Sequence, residues 1–437
     1  KSWKKLSNGI PEKHLVWRVV QDHVDPQLLF AATEFGIFTT VDGGKNWVEL
    51  NGGLPTISFR DLAIHKGEND LVAASFGRGI YVLDDYQALR DVDEKSLNND
   101  AMIFSSRDAL WYIEKMRLGF DKKGNAGASH YVADNPPFGA TFTYYIKDVP
   151  KSLKAKRTEK EKALNKDNKN IPFPGWDKLE AEGKQAKAQL QFVIKSEEGH
   201  VVRRIETEMK QGLNRITWDL RLPSRGTIGE HSGFFSDEPT GMLAMPGKYT
   251  VTMASKVDGK VTPLAEPMPF NVTRLYKSDL NEGTDEQVSN FWREIEMVQG
   301  KNSALDSQFK LTNKRVKDLA EALLLSQADI GALEQQLEAI KVKLSSLDYQ
   351  YNGSKARGEV GVLDEHVTVG QRLFVALIGT GLSTYGPTPT HKETLAIAKS
   401  EIAELTVRLN DIVNKDIKAL EEELKKVNAP WVKGQAL

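Results

Sequence analysis

The sequence predicts a multidomain chain with partial β-propeller blades, then an immunoglobulin- or fibronectin-like β-sandwich, then an antiparallel α-helical bundle. A β-rich unit recurs after 42 to 44 residues within residues 1–90. Apolar residues alternate with a period of two in several runs of residues 135–275, and recur every three or four residues in residues 284–428. Residues 91–134 are expected to form a linker or docking segment. A chain of 437 residues can hold about two to four domains.

The prediction of propeller blades depends on two pairs of matching segments. Trp47–Pro55 repeats the pattern of Trp3–Pro11 after 44 residues, and Ala73–Ser75 repeats that of Ala31–Thr33 after 42 residues. A unit of this length, with short β-rich runs separated by Gly, Asn and Pro, suits a four-stranded blade. Helical repeats of similar length are the alternative, but apolar runs this short, bounded by turn residues, favour strands.

Between the repeated units lies a turn with the pattern Thr-x-Asp-x-Gly-x-Asn-Trp, formed by Thr40, Asp42, Gly44, Asn46 and Trp47. The Asp42 carboxylate is expected to accept backbone N–H groups inside the turn, and Gly44 to supply a positive φ. Trp47 is expected to fill the space between neighbouring strands. A catalytic acid at Asp42 is the alternative, but the pattern favours a structural role.

The first three residues match the end of that turn. Lys1-Ser2-Trp3 aligns with Lys45-Asn46-Trp47, so the chain is expected to open inside an earlier copy of it. A blade buries its faces against neighbouring blades. Further blades are therefore expected upstream in the same protein or in a companion chain.

The predicted sandwich follows a turn at Asn135–Ala140. The strand that contains Trp218 is expected to bury this side chain, because Ile216 and Leu220 share its period-two face. The predicted strands are Thr141–Ile146, Leu190–Lys195, Val201–Glu206, Asn214–Leu220, Gly247–Ala254 and Met268–Val272.

A charged insertion at residues 151–189 interrupts the sandwich. It contains eleven Lys or Arg and six Asp or Glu, which gives a local net charge of +5. A solvated, charged hairpin is expected there, and a polyanion-binding arm is the alternative. Phe173 and Trp176 are expected to fasten the insertion to the body of the domain.

The last third of the chain is predicted to be helical. Two long helices are expected between residues 284 and 348, one near 363–380 and one near 391–427, because each carries a single apolar stripe. An antiparallel bundle over residues 284–428 follows from this pattern.

Composition limits the chemistry. There is no cysteine, which excludes disulfides, thiolate catalysis and cysteine-ligated metals. The 59 Lys and Arg against 60 Asp and Glu give a net charge of −1, so the overall charge gives no reason to expect nucleic acid or an anionic membrane as the main partner. The longest apolar run is too short for a transmembrane segment. No fingerprint of a cofactor or a metal site occurs, so neither is expected.

Few residues have catalytic potential. Glu34, Arg60 and Arg78 are candidates for the exposed face of the propeller, with Asp61 and Asp84 as further carboxylates. A glycosidase requires two carboxylates at a set separation across a cleft. The sequence does not single out such a pair, so the catalytic residues are unknown.

Several motifs occur together with the Asp42 turn. They are GRGIYVLDD at residues 77–85, NPPFGA at 135–140, GLNRITWDLR at 212–221 and PGKYTV at 246–251. In this order they resemble the C-terminal part of bacterial sortilin-like or neuraminidase-repeat (Asp-box) propeller proteins, often labelled glycosyl hydrolases. The resemblance implies a propeller upstream and a secreted, periplasmic or cell-surface location. It carries over no catalytic residue, because the catalytic residues of Asp-box enzymes lie on other propeller loops.

Two functions are therefore considered. The first is a secreted or surface-associated module that binds a protein, peptide or glycan and takes part in assembly. The alternative is a polysaccharide-active glycoside hydrolase whose catalytic residues lie in an upstream propeller. Paired carboxylates on upstream loops would favour the enzyme.

Overall fold

The computed structural model describes residue 2 and residues 4–114, 135–228, 240–276, 283–326, 329–362 and 366–435. Lys1 and Trp3 of the expected earlier turn lie outside this part of the chain, as do residues 115–134 of the expected linker. The chain divides into two compact units. The first contains Lys1–Trp111, Met116–Leu220 and Pro246–Leu275, and the second contains Tyr112–Lys115, Arg221–Met245 and Tyr276–Leu437.

The first unit begins with two antiparallel meanders. In each sheet, strands that follow one another in sequence are hydrogen-bonded neighbours. The first sheet consists of β1 (Val16–Gln21), β2 (Leu29–Thr33), β3 (Gly36–Thr40) and β4 (Val48–Glu49), and the second of β5 (Phe59–His65), β6 (Asp70–Ser75) and β7 (Ile80–Leu83).

The two meanders share one apolar core. Phe30 of β2 and Phe59 of β5 are fully buried in it. The chain then leaves the sheets through a 3₁₀-helix, Tyr86–Asp91, and the Tyr86 ring packs 5.0 Å from that of Phe30. The buried aromatic area stabilises the meanders and ties this exit segment to them.

The β-sandwich follows the short helix α1 (Glu94–Asn98). One sheet has the order β13-β10-β8, and the other has the order β12-β11-β16-β18-β9, with β17 paired to β16. These strands are β8 (Ala101–Ile103), β9 (Ala109–Trp111), β10 (Ala140–Ile146), β11 (Gln189–Ser196), β12 (Val201–Glu208), β13 (Gly212–Trp218), β16 (Gly247–Val257), β17 (Lys260–Pro263) and β18 (Met268–Arg274).

Trp218 is fully buried between the two sheets, as its period-two neighbours predict. Its ring centroid lies 5.5 Å from that of Tyr249 and 6.2 Å from that of Phe270. Both partners are on the opposite sheet, so Trp218 is a core residue of the sandwich and not an exposed platform.

The charged insertion folds into α2 (Leu153–Lys166) and α3 (Trp176–Lys184), and neither helix contains a buried residue. The expectation that Phe173 and Trp176 fasten it to the body is wrong. The two side chains are 62% and 73% exposed, and their rings pack on each other with centroids 5.2 Å apart. The helices are held together instead by Arg157, which donates to both carboxylate oxygens of Glu182.

A hairpin between β13 and β16 belongs to the second unit. Its strands are β14 (Arg221–Pro223) and β15 (Thr240–Leu243). The Met242 N–H donates to the Glu296 carboxylate on α4 (Asp285–Leu324). A Cβ at Gly241 would lie 2.6 Å from the Leu222 backbone oxygen, which cannot move away as a side chain can, so glycine is required here.

The remainder of the second unit is helical, as the apolar stripes predict. Thr284 and Thr368 form capping boxes that begin α4 and the helix Val369–Gly381. None of the described helices is both long and apolar enough to cross a membrane. The helices after α4 are α5 (Gly331–Asn352), α6 (Lys355–Glu359), α7 (Val369–Gly381), α8 (Pro389–Asp411), a π-helical turn (Ile412–Ile417) and α9 (Lys418–Lys426).

Candidate functional site

The two edges of the meanders carry different groups. In an antiparallel meander, successive turns alternate between the two edges of the sheet. The β1–β2 and β3–β4 turns therefore lie at one edge, and the second of these contains Asp42. The β2–β3 turn, the β4–β5 connection and the β6–β7 turn lie at the opposite edge, which carries Glu34, Arg60 and Arg78.

At the first edge, Asp42 is surrounded by donors of its own turn. Its Oδ1 accepts from the Thr40 hydroxyl at 2.7 Å and the Asn46 N–H at 2.9 Å, and its Oδ2 accepts from Asn46 Nδ2 at 2.8 Å. Burial alone would raise the pKa of Asp42, but the hydrogen bonds from Asn46 and Thr40 outweigh it and lower the pKa to about 2. Both carboxylate oxygens are thus engaged within the turn.

Gly44 and Trp47 complete the turn. Gly44 has a φ of +88°, in the region that favours glycine. Trp47 is buried, and its Nε1–H donates to the Leu6 carbonyl at 3.0 Å. The indole therefore joins the turn to the segment that precedes β1.

At the opposite edge, Trp17 and Arg60 occupy β-bulges. The β1–β2 register shifts between Val16 and Arg18, and the β5–β6 register shifts between Phe59 and Asp61. Trp17 and Arg60 are the extra residues, and they stand 43 positions apart, which is the length of the repeat. Bulges redirect side chains and occur often beside functional sites.

These two bulged residues stack on one another. The Arg60 guanidinium carbon lies 3.8 Å from the centroid of the Trp17 ring and 5.1 Å from that of Phe76. Trp17 is 41% and Phe76 is 70% exposed. The cation thus lies over two aromatic rings that both reach solvent.

Glu34 holds this arrangement in place. Its Oε2 accepts from Trp17 Nε1 at 2.8 Å and from the Ser58 hydroxyl at 3.2 Å, and it lies 3.9 Å from an Arg60 nitrogen. Trp17, Glu34, Arg60 and Phe76 together are called the stacked cluster below. It combines two exposed rings, a cation and a carboxylate on one face.

The structure unites two of the residues that the sequence suggested and adds two others. Glu34 and Arg60 were candidates, whereas Trp17 and Phe76 were missed. The repeat contains a signal for both, because Trp17 and Arg60 are 43 positions apart and Glu34 and Phe76 are 42 apart. Each pair occupies equivalent positions in the two meanders.

The other candidates have different surroundings. Arg78 is exposed in the β6–β7 turn, two positions from Phe76. Asp61 forms an exposed ion pair with Arg18 at 3.4 Å. Asp84 lies just after β7, at the edge opposite the stacked cluster. Burial and the nearby Asp70 raise the pKa of Asp84.

Among the residues that the structure describes, no group of three or more His, Asp or Glu side chains is placed to hold a metal ion. No protein-family model matches the sequence, and no curated protein matches it.

Remote matches occur among solved structures. Two of them are crystal structures of the extracellular domain of a B. thetaiotaomicron protein, described in one case as a one-component system and in the other as a hybrid two-component system. Each is 10% identical, over 61% of this chain and 26% of that chain, with TM-scores of 0.14 and 0.13. The match thus covers about a quarter of the length of these crystallised extracellular domains. TM-scores this low do not establish a common fold.

Proposed function

We propose that this chain is a secreted, periplasmic or surface-associated binding and assembly module, and that the stacked cluster is its contact surface for a protein or peptide. The observation that carries this proposal is the Arg60 guanidinium stacked on the exposed rings of Trp17 and Phe76.

The chemistry of the stacked cluster suits a peptide ligand. Trp and Arg dominate the binding energy of protein interfaces, where they fill pockets or pair with charged groups. The hydrogen bond from Trp17 to Glu34 fixes the indole before a ligand arrives, so less side-chain entropy is lost on binding. The exposed guanidinium edge can pair with a carboxylate of the partner, while the outer ring faces accept apolar side chains.

The two meanders are proposed to be blades of an Asp-box β-propeller. Strand β1 exposes apolar side chains, including Val16 at 40% and Val19 at 50%, and Val48 of β4 is 67% exposed. A blade in a propeller covers such side chains with its neighbours. The partners proposed for this surface are further blades, from upstream sequence or a companion chain.

A peptide-display selection tests the binding function. A random peptide library is selected on the wild-type chain, and the recovered peptides are measured against Trp17→Ala, Arg60→Ala and the matched control Arg204→Ala, an exposed arginine on β12. We expect peptides rich in acidic and apolar residues, with at least tenfold weaker binding to the two cluster variants and unchanged binding to the control.

Two results would contradict the proposal. One is that every recovered peptide binds Arg60→Ala as well as it binds wild type. The other is that a glycan array gives binding that depends on Trp17, while the peptide library gives none; this would assign the surface to a sugar.

A further inference from the structure

The charged insertion forms an arm with a local net charge of +5, whereas the whole chain has a net charge of −1. The Leu153 N–H donates to the Gln185 side chain at 2.7 Å, which closes the base of the α2–α3 pair. The segment 167–175 joins the other ends of the two helices. Because α2 has 14 residues, it is about 21 Å long, so this segment forms a tip well separated from the base.

Most of the unpaired charge on the arm is positive. Five of its six acidic residues lie in ion pairs, and Asp177 is the exception. Of its eleven basic residues, six have no ion pair with any residue that the structure describes, and all six are exposed. They are Lys154, Lys156, Lys160, Lys162, Lys166 and Lys178.

The tip of the arm presents apolar side chains. Ile171, Phe173 and Trp176 are 48%, 62% and 73% exposed. Pro172 and Pro174 alternate with them and restrict the backbone to extended conformations. Two aromatic rings and an isoleucine are therefore exposed together at the tip.

We propose that this arm docks on an anionic lipid surface, with Ile171, Phe173 and Trp176 inserted at the level of the headgroups and the unpaired lysines nearest the tip facing the lipid phosphates. Tryptophan and phenylalanine partition into the interfacial region of a bilayer, and each lysine near an anionic surface adds electrostatic attraction. A single weak anchor gives only marginal binding, so the rings and the lysines are both required.

The placement of the rings favours lipid over nucleic acid. A single-stranded nucleic acid is bound by aromatic rings interleaved with basic residues along a groove, so that successive bases can stack. Here the rings lie together at the end of the arm, and five of the six unpaired lysines lie on α2 behind them. This order fits a planar surface approached end-on.

Vesicle sedimentation tests the proposal with the full chain. The probes are vesicles of phosphatidylglycerol mixed with phosphatidylcholine, and vesicles of phosphatidylcholine alone. We expect sedimentation with the anionic vesicles only, and release of the protein by high salt, because salt screens the lysines.

Three variants separate the two contributions. Lys160→Gln/Lys162→Gln/Lys166→Gln is expected to weaken binding on the order of 100-fold, since each lysine contributes about fivefold. Phe173→Ala/Trp176→Ala is expected to weaken binding at least about tenfold. The matched control Lys301→Gln/Lys314→Gln/Lys317→Gln changes the same charge on exposed positions of α4 and should bind as wild type does.

All of these substitutions are at exposed positions, so the variants are expected to fold, and circular dichroism verifies this. The proposal is overturned if the anionic vesicles do not bind the protein, or if phosphatidylcholine alone binds it equally. It is also overturned if the ring variant binds as wild type does. Binding of RNA that needs the lysines but not the rings, without vesicle binding, would assign the arm to a nucleic acid.

Discussion

Two carboxylates at opposite edges of the same meanders have different surroundings. The Asp42 carboxylate accepts hydrogen bonds from Thr40 and Asn46, which lie within four positions in sequence. Glu34 takes them from Trp17 and Ser58, which are 17 and 24 positions away, and one of these donors is an exposed indole. The local hydrogen bonds of Asp42 hold the shape of its own turn, so we interpret Asp42 as a residue that stabilises the fold. The long-range hydrogen bonds of Glu34 orient the Trp17 side chain on strand β1, so we interpret Glu34 as a residue that positions an exposed binding surface.

The largest effect is expected at a third carboxylate, which is buried. Asp22 is 5% exposed and accepts from Tyr86 Oη at 2.6 Å and from two Arg90 nitrogens at 2.8 and 2.9 Å. Burial would raise the pKa of Asp22, but these donors outweigh it and hold the pKa well below its usual range. Asp22→Ala would leave the Arg90 charge without its partner, so we expect a loss of about 3–5 kcal/mol in unfolding free energy.

Denaturant unfolding followed by tryptophan fluorescence measures this loss. The control is Asp61→Ala, which removes an ion pair whose side chains are 57% and 66% exposed and should change stability by about 0–1 kcal/mol. Equal effects of the two substitutions would show that the Asp22 network does not fasten the exit segment.

A smaller loss is expected at the Asp42 turn. Asp42→Ala removes three hydrogen bonds of a partly exposed turn, so we expect a loss of about 1–2 kcal/mol in unfolding free energy. Peptide binding at the stacked cluster should not change at temperatures where the variant is folded. A stable Asp42→Ala protein that has lost binding or activity would contradict the structural interpretation of this residue.

The sequence predicts what depends on local pattern. The repeat identifies the strands and the turn around Asp42, the period-two face identifies the buried Trp218, and the apolar stripes identify the helices. The hairpin containing Gly241 was not foreseen, because its partner, Glu296, is far away in sequence and its place on α4 leaves no local pattern.

The sequence predicts only two residues of the stacked cluster, Glu34 and Arg60, because the positions of the other two depend on contacts that are not local. Glu34 and Arg60 stand out as charged residues in or next to apolar strands, but the bulges that expose Trp17 and Arg60 depend on how the strands pair. The error at Phe173 and Trp176 has a related cause. Sequence shows that the rings are apolar, but it does not show that Arg157 and Glu182 close the hairpin without them.

Acid should reduce the difference in stability against unfolding between Asp42→Ala and wild type. The pKa of Asp42 is lowered in the folded state, from 3.8 to about 2. Its ionised form therefore stabilises the protein fully above the unfolded value, and this contribution is lost as the pH falls through about 2. We expect the difference in unfolding midpoint to be constant from neutral pH to about pH 5 and to shrink towards pH 2. A difference that grows in acid would show that the pKa is not lowered.

The smallest effect on stability and the clearest effect on the surface are expected at Glu34. This carboxylate is partly exposed, so Glu34→Ala should change unfolding free energy by about 1 kcal/mol or less. It removes the acceptor of the Trp17 indole, however, and should release the ring from its position. Glu34→Gln keeps an acceptor oxygen for the indole and removes only the charge beside Arg60, which makes it the matched comparison.

The indole N–H signal of Trp17 in an ¹⁵N-correlated NMR spectrum reports on the hydrogen bond directly. We expect this signal to shift and broaden in Glu34→Ala and to stay near its wild-type position in Glu34→Gln. Selected peptides should bind Glu34→Ala about tenfold more weakly, since fixing the indole then costs side-chain entropy. If the signal and the peptide affinity of Glu34→Ala both match wild type, Glu34 does not hold the cluster, and the contrast with Asp42 fails.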